Sequence, residues 1–151
     1  MTSTDRIDKD IVLKAPLARV WRALTNAKEF GEWFGVKLEG DFAAGATIRG
    51  HITNAGYEHL KIEMQIQKLE PEHYFSYRWH PYAVDPGVDY SSEPTTLVEF
   101  RLTEVEGGTR LTVTESGFEH IPAARRAEAF RMNEGGWAIQ VKNVEAHVAR
   151  G

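Results

Sequence analysis

The polar side chain best placed for chemistry is Glu115, because the other members of its alternating pattern are apolar. Leu111, Val113 and Glu115 follow one another at two-residue spacing, and side chains at that spacing share one face of a strand. The pattern therefore directs a carboxylate toward the protein interior. Burial of a carboxylate is costly without hydrogen bonds or a counter-charge, and it raises the pKa of the group.

Two interpretations of Glu115 are open. In the functional interpretation, the carboxylate anchors a ligand or acts as a general base with a raised pKa. In the structural interpretation, it pairs with an arginine or tyrosine near the rim, or a bulge turns it outward. The sequence offers no second member of a catalytic pair, so no catalytic residue is assigned, and Glu115 is the candidate only if the protein is an enzyme.

Aromatic residues form the second candidate set, at alternating and helical spacings along the chain. Such residues are usually core, but a mostly apolar cavity with a few polar anchors is also what a small hydrophobic ligand requires. Trp137 is the strongest candidate, because it follows two glycines that remove side-chain bulk. The candidate lining residues are Trp33, Phe34, Tyr77, Trp79, Phe118, Phe130 and Trp137.

The composition argues against several classes of function. The chain contains no cysteine, which excludes disulfides, thiol nucleophiles and thiolate metal sites. Its six histidines form no His-x-x-x-His pair, so neither a metal nor a cofactor is predicted. A net charge of -4 gives no basic footprint for nucleic acid. The first ten residues are polar and no apolar run approaches the length of a membrane span, so a cytoplasmic location is expected.

The N-terminal part of the chain predicts a strand and two short helices that would position these residues. Apolar residues between Ile7 and Leu13 predict the strand. Pro16 is expected at the first position of the following helix. Asn26, followed three residues later by Glu29, predicts the start of the second helix as a capping box.

From Val36 to Gly117 the hydrophobic period is that of strands. The most secure element is a hairpin whose turn lies at Glu106-Gly107-Gly108-Thr109. The segment from His80 to Pro94 contains prolines, glycine and serines without an apolar period. It is predicted to be a long loop, a class of segment that is often functional.

The helical period returns after Pro122. Ala127, Phe130, Trp137, Val141, Val144 and Val148 form the predicted inward stripe, and Asn133 interrupts it. A helix of roughly 27 residues would span about 40 Å. Gly135 and Gly136 lie inside it, which predicts the close approach of another element, a kink, or room for a ligand. The elements together predict one α+β domain over residues 1–151, with a mostly antiparallel sheet and a long C-terminal helix.

Several short segments carry a family resemblance, in the order Ile11–Pro16, Val20-Trp21, Leu24-Thr25, Phe30–Phe34, Leu69–Pro71, Tyr77–Trp79, Gly107–Thr114, Ser116–Phe118 and Gly136-Trp137. They resemble the START-like (SRPBCC) superfamily, and within it the branch related to the C-terminal domain of the heat-shock-protein ATPase activator. The resemblance covers nearly the whole chain. It implies a helix-grip fold, in which a curved sheet wraps around the C-terminal helix and leaves a cavity between them.

The leading functional hypothesis is non-catalytic binding of a small apolar or amphipathic molecule in that cavity. The aromatic residues would line it, Glu115 would orient a polar group, and the His80–Pro94 loop would gate it. One alternative is a chaperone-interacting module, which the resemblance alone implies. The other is an enzyme of cyclase or hydrolase type that uses Glu115 as a base.

Overall fold

The computed structural model describes residues 6–82 and 87–150. The strands form a curved antiparallel sheet in the order β1-β7-β6-β5-β4-β3-β2. Their bounds are β1 Arg6–Leu13, β2 Val36–Glu39, β3 Thr47–Ile52, β4 Lys61–Glu70, β5 Tyr74–Trp79, β6 Thr96–Val105 and β7 Gly108–Ser116. The helices are α1 Leu17–Thr25, α2 Ala27–Phe34 and α3 Ala123–Ala149, with a short 3-10 helix at Phe118–His120. The predicted α+β helix-grip fold is confirmed.

The two short helices begin close to their predicted starts. Pro16 takes the capping position before α1 with extended backbone angles, one residue earlier than expected. The side chain of Asn26 accepts a hydrogen bond from the Glu29 N–H at 3.0 Å and starts α2, as predicted. Gly35 ends α2 with a φ of +89°, a conformation that glycine adopts without a steric penalty.

The hairpin between β6 and β7 is the feature that orients Glu115. The strands are joined by Glu106 and Gly107, inside the predicted turn. Their register pairs Val98 with Glu115 without a bulge, so the alternation that begins at Leu111 continues to Glu115. The sheet is less regular elsewhere, because a register shift falls between Ile66 and Lys68 of β4.

The first strand of the chain pairs with the last one. Strand β1 lies antiparallel to β7, from Arg6 opposite Ser116 to Leu13 opposite Thr109. It thereby takes one edge of the sheet, while β2 takes the other. The central strands β5 and β6, together with β7, carry the side chains that face α3 at the candidate site.

Helix α3 is 27 residues long and buries most of the predicted stripe. Ala127 is the exception, because it is exposed and Ala129 is buried instead. Position 127 lies about 80° around the helix from Trp137 at the standard turn of 3.6 residues, so it falls beside the stripe. An added Cβ at Gly135 or Gly136 would meet no atom within 4 Å. Of the three alternatives for these glycines, close approach of another element is therefore excluded, and open space lies beside both of them.

A charge cluster around Glu29 joins the three helices. The Glu29 carboxylate accepts from Arg19 Nη1 at 2.8 Å and from Arg22 Nε at 2.7 Å, both on α1. His147 Nε2, near the end of α3, lies 2.9 Å from the same carboxylate. Burial acts to raise the pKa of Glu29, but the hydrogen bonds from His147 and Arg19 and the charges of Arg19 and Arg22 outweigh it. The pKa is lowered, so the folded state favours the ionised form.

Glu29→Gln should lower the free energy of unfolding by about 1 kcal/mol at neutral pH, because it removes the charge at the centre of a cluster that is partly shielded from solvent. The stability that Glu29 contributes is present above its unfolded-state pKa and lost as the pH falls through the lowered pKa. The difference in the free energy of unfolding between Glu29→Gln and the wild type should therefore shrink on acidification. Urea denaturation at several pH values measures it, with Glu32→Gln on the exposed side of α2 as the control. A difference that grows on acidification would contradict the assignment.

Candidate ligand-binding site

Glu115 is fully buried, and four side chains donate hydrogen bonds to its carboxylate. Oε1 accepts from the indole Nε1 of Trp137 at 2.9 Å and from Asn133 Nδ2 at 3.0 Å. Oε2 accepts from the indole Nε1 of Trp79 at 2.7 Å and from Thr96 Oγ1 at 2.5 Å. The donors come from β5, β6 and α3. The carboxylate is therefore the point at which the helix and the sheet are hydrogen-bonded to each other.

The structural interpretation expected Glu115 either to pair with an arginine or tyrosine or to be turned outward by a bulge, and neither is observed. The side chain points inward, as the alternation predicts, and its partners are two indoles, an amide and a hydroxyl rather than an arginine or tyrosine. Burial raises the pKa of Glu115, and the hydrogen bonds from its four partners oppose that rise without cancelling it. An ionised carboxylate offers about four acceptor positions, and all are used here. A general base needs a free position facing the substrate, so this geometry disfavours the enzyme hypothesis.

The rings of Phe34, Trp79 and Trp137 form a triangle beside Glu115. Their centroids are 5.8, 6.1 and 6.0 Å apart for the pairs Phe34–Trp79, Phe34–Trp137 and Trp79–Trp137. Tyr77 contacts Trp79 at 5.2 Å, and Trp33 contacts Phe34 at 5.7 Å. The structure thus brings five of the seven predicted aromatic residues into one group of contacting rings, of which Trp79 and Trp137 donate to the carboxylate. The space predicted to hold a ligand is occupied by rings in contact with one another.

The other two predicted aromatic residues lie apart from this triangle. Phe118 and Phe130 pack edge to face at 5.2 Å, near the start of α3. Among the described residues, no ring contact joins this pair to the triangle. Trp33 also has a structural role, because its indole N–H donates to the carbonyl of Ala23 at 2.8 Å. Trp33 also lies in the lining of a groove beside α2 and α3, and a role in binding stays a prediction for all seven aromatic residues.

A groove of about 470 Å³ runs along the outer side of the triangle, between α3 and the end of α2. Phe34, Gly136 and Ile139 supply apolar surface to it, and the side chain of Ile139 is exposed. Gln140 donates to the carbonyl of Phe34 at 2.9 Å and accepts from Asn143 at 3.0 Å. Phe34 therefore belongs to both features, as one wall of the groove and one corner of the triangle.

A second depression, of about 620 Å³, is larger but lies far from this chemistry. It surrounds the turn between β6 and β7 and is lined by residues 14–16 and 104–108. No aromatic or buried titratable side chain belongs to that lining. The groove beside Phe34 is therefore the better candidate for a binding site, in spite of its smaller volume.

The predicted His80–Pro94 loop is held against the first turn of α3. The guanidinium of Arg125 donates twice to Glu93, at 2.7 and 2.9 Å, and once to the carbonyl of Pro81 at 2.8 Å. His80 Nε2 lies 3.1 Å from the carbonyl oxygen of Glu93. Residues 83–86 of the loop lie outside the described residues. Arg125 is about 16 Å from Gly136 along the helix axis, so the loop and the groove lie at different ends of α3, and gating by the loop stays a prediction.

Two donors to Glu115 were not predicted from the sequence. Asn133 had a visible signal, because an amide interrupts the apolar stripe between Phe130 and Trp137. Thr96 carried no signal, since it is one of two adjacent threonines after the loop and nothing in the sequence distinguishes it from Thr95. The contribution of Gln140 and Asn143 to the groove also depends on the packing of α2 against α3, which sequence periodicity does not reveal.

Metal and membrane sites were searched for among the described residues. In residues 6–82 and 87–150, no group of three or more His, Asp or Glu side chains is placed to hold a metal ion. Within the same ranges, no helix is both long enough and apolar enough to cross a membrane.

Comparison with known proteins gives a family and several structural neighbours. The sequence model of the family described as activator of Hsp90 ATPase homolog 1-like protein matches residues 14–149. No curated protein matches the chain. A structure from Mesorhizobium loti is similar with a TM-score of 0.76 and 23% identity, over 96% of this chain and 97% of that one.

Two further solved structures share the fold. One, a protein from Arthrobacter aurescens, has a TM-score of 0.79 and 13% identity, over 100% of this chain and 91% of the other. The other is the Aha1 dimer from Colwellia psychrerythraea, with a TM-score of 0.71 and 20% identity, over 95% of each chain. At these identities the likeness concerns the fold.

Glu115→Gln should destabilise the protein by about 1–3 kcal/mol near pH 4, because its NH₂ group would face an indole N–H that then lacks an acceptor. Since the pKa of Glu115 is raised in the folded state, its stabilising contribution is present below the unfolded-state pKa and lost as the pH rises through the raised pKa. The difference in the free energy of unfolding between the wild type and Glu115→Gln should therefore narrow as the pH rises. For Glu29→Gln the corresponding difference should widen as the pH rises. Urea denaturation from acidic to neutral pH measures this, with the exposed Glu104→Gln as the control; a widening difference would contradict it.

Proposed function

This chain belongs to the family of activator of Hsp90 ATPase homolog 1-like proteins, and from its geometry we propose that it binds a small apolar or amphipathic molecule without transforming it. The observation that carries the proposal is Phe34, which lines the open groove and forms one corner of the aromatic triangle beside the buried carboxylate. A ligand in the groove would lie one side chain away from the interior. Rearrangement of that side chain and of the rings behind it would be needed for a ligand to enter the interior.

The lining of the groove suits an amphipathic molecule. Phe34, Gly136 and Ile139 offer apolar surface, while Gln140 and Asn143 offer amides along the same helix. Its volume of about 470 Å³ falls within the range of about 300–1,000 Å³ that small-molecule sites occupy. The apolar part of a ligand would contact Phe34, and its polar part would face the amides.

The pair of glycines supports the same proposal. Glycine inside a helix costs about 1 kcal/mol relative to alanine, and at Gly135 and Gly136 no neighbouring atom requires the absence of a side chain. At Gly136, which lines the groove, the missing side chain leaves volume for a ligand. That benefit would explain why this position of α3 carries no side chain.

Gly136→Leu should weaken binding of the neutral fluorescent probe N-phenyl-1-naphthylamine at least about tenfold, because the new side chain would extend into the groove. Fluorescence titration measures the dissociation constant. Gly135→Leu is the matched control, since it is the adjacent helical glycine, is exposed and does not line the groove. Both variants should be slightly more stable than the wild type, because leucine favours helix over glycine by roughly 0.8 kcal/mol.

Two results would count against the groove. Wild-type protein that does not bind the probe at all would remove the proposed function. Equal affinity of the two leucine variants would show that any binding takes place elsewhere on the molecule.

Interaction with a chaperone is the second candidate, and membership of a family described by an Hsp90 ATPase activator favours it. If this chain acts in that way, the purified protein should raise ATP hydrolysis by Hsp90 from its own organism until the effect saturates. A coupled ATPase assay measures this rate. A rate that does not change with added protein would remove the candidate, whereas stimulation that Gly136→Leu leaves intact would separate it from ligand binding.

A further inference from the structure

The hydroxyl of Tyr77 is a buried polar group that has no hydrogen-bond partner among residues 6–82 and 87–150. Tyr77 is 0% exposed, and its hydroxyl makes no hydrogen bond within the described part of the chain. A buried donor that lacks an acceptor costs about 1–3 kcal/mol, and such groups in folded proteins call for an explanation. Its ring packs 5.2 Å from Trp79, so the hydroxyl belongs to the same interior as the aromatic triangle.

Tyr77 and Glu115 lie in one row across the sheet. Tyr77 pairs with Val98, and Val98 pairs with Glu115, so the three side chains share the face toward α3 with one strand between the two polar groups. Two strand spacings separate their backbones by about 10 Å. Burial raises the pKa of Tyr77 well above its ordinary value, and the charge of Glu115 adds to the rise. The hydroxyl therefore stays protonated and can donate.

The acceptors of Glu115 are already used, which restricts what else this interior can receive. Each of its oxygens holds two donors from the protein, so a cationic group on a ligand would find no free acceptor there. An anionic group would lie near an unneutralised carboxylate in a medium of low dielectric constant, where like charges repel strongly. An uncharged oxygen avoids both costs.

We propose that Tyr77 determines ligand specificity by donating its hydroxyl hydrogen bond to an uncharged oxygen of the ligand, and that Glu115 excludes anionic amphiphiles. The ligand class is thus a neutral apolar molecule that carries a carbonyl or hydroxyl group, rather than a fatty-acid anion. This inference rests on the proposed function and adds one requirement: the contacting rings behind Phe34 must move apart for a ligand to reach Tyr77, which does not line the groove.

Three probes of nearly equal size test the inference: 2-acetylnaphthalene, 2-ethylnaphthalene and 2-naphthoate. Displacement of N-phenyl-1-naphthylamine gives the affinity of each. We expect the wild type to bind the ketone about tenfold more tightly than the hydrocarbon, as one additional hydrogen bond allows. It should bind the carboxylate at least about tenfold more weakly than the ketone.

Tyr77→Phe removes only the hydroxyl, and it should abolish the preference for the ketone while leaving the affinity for 2-ethylnaphthalene unchanged. The variant should fold at least as stably as the wild type, because it deletes a buried group that lacks a partner. Tyr74→Phe is the matched control, since Tyr74 lies on the same strand but on the opposite face, where it donates to Glu99.

The outcomes separate this inference from the proposal on which it rests. If Tyr77→Phe retains the preference for the ketone, or if 2-naphthoate binds as well as the ketone, the inference is overturned while ligand binding stands. If none of the three probes displaces the fluorophore and the fluorophore itself does not bind, both fail. A preference for the ketone that disappears only in Tyr77→Phe supports both.

Discussion

The burial of one carboxylate without a counter-charge is the constraint on which this structure depends. Glu115 could not be held inside an apolar core without several donors directed at it, and those donors come from two strands and from α3. Apolar packing alone tolerates small shifts of a helix over a sheet. Hydrogen bonds to a shared carboxylate do not tolerate such shifts. Glu115 therefore fixes both the rotation of α3 about the helix axis and the position of α3 along the sheet.

A second attachment lies near the C-terminal end of α3. His147 meets the carboxylate of Glu29, which also holds the two arginines of α1. Between Trp137 and His147, α3 carries the exposed Ile139 along the groove. The helix is thus fixed on either side of the segment that faces open space. Under the proposed function, a ligand would enter by rearrangement of side chains at Phe34 while the backbone of the helix stays in place.

The elements and the inward direction of Glu115 were predictable, because both depend on local periodicity. Spacings of two residues placed Glu115 on the same face as Leu111, and the turn at Gly107 fixed the register of the hairpin. The partners of Glu115 were not predictable, since Trp79 and Trp137 belong to the core pattern whether or not their N–H groups meet an acceptor. The sequence also did not show that Phe118 and Phe130 pack apart from the other aromatic residues. Hydrophobic spacing predicts that a side chain faces the core, but it does not predict which part of the core the side chain occupies. The groove arises where α2 and α3 diverge, which is a property of packing between distant segments.

The pairing of β1 with β7 determines when the sheet can be completed. Ile7 reaches its partner Glu115 only after more than a hundred intervening residues have emerged from the ribosome. Closing such a long loop costs entropy that local contacts do not repay, which slows folding. During synthesis, the first strand must therefore wait with its backbone groups unpaired, and β6 gains its second neighbour only when β7 arrives. The strand that places Glu115 is thus also the one that completes the sheet, and the carboxylate cannot meet all of its donors until α3 has been synthesised as well.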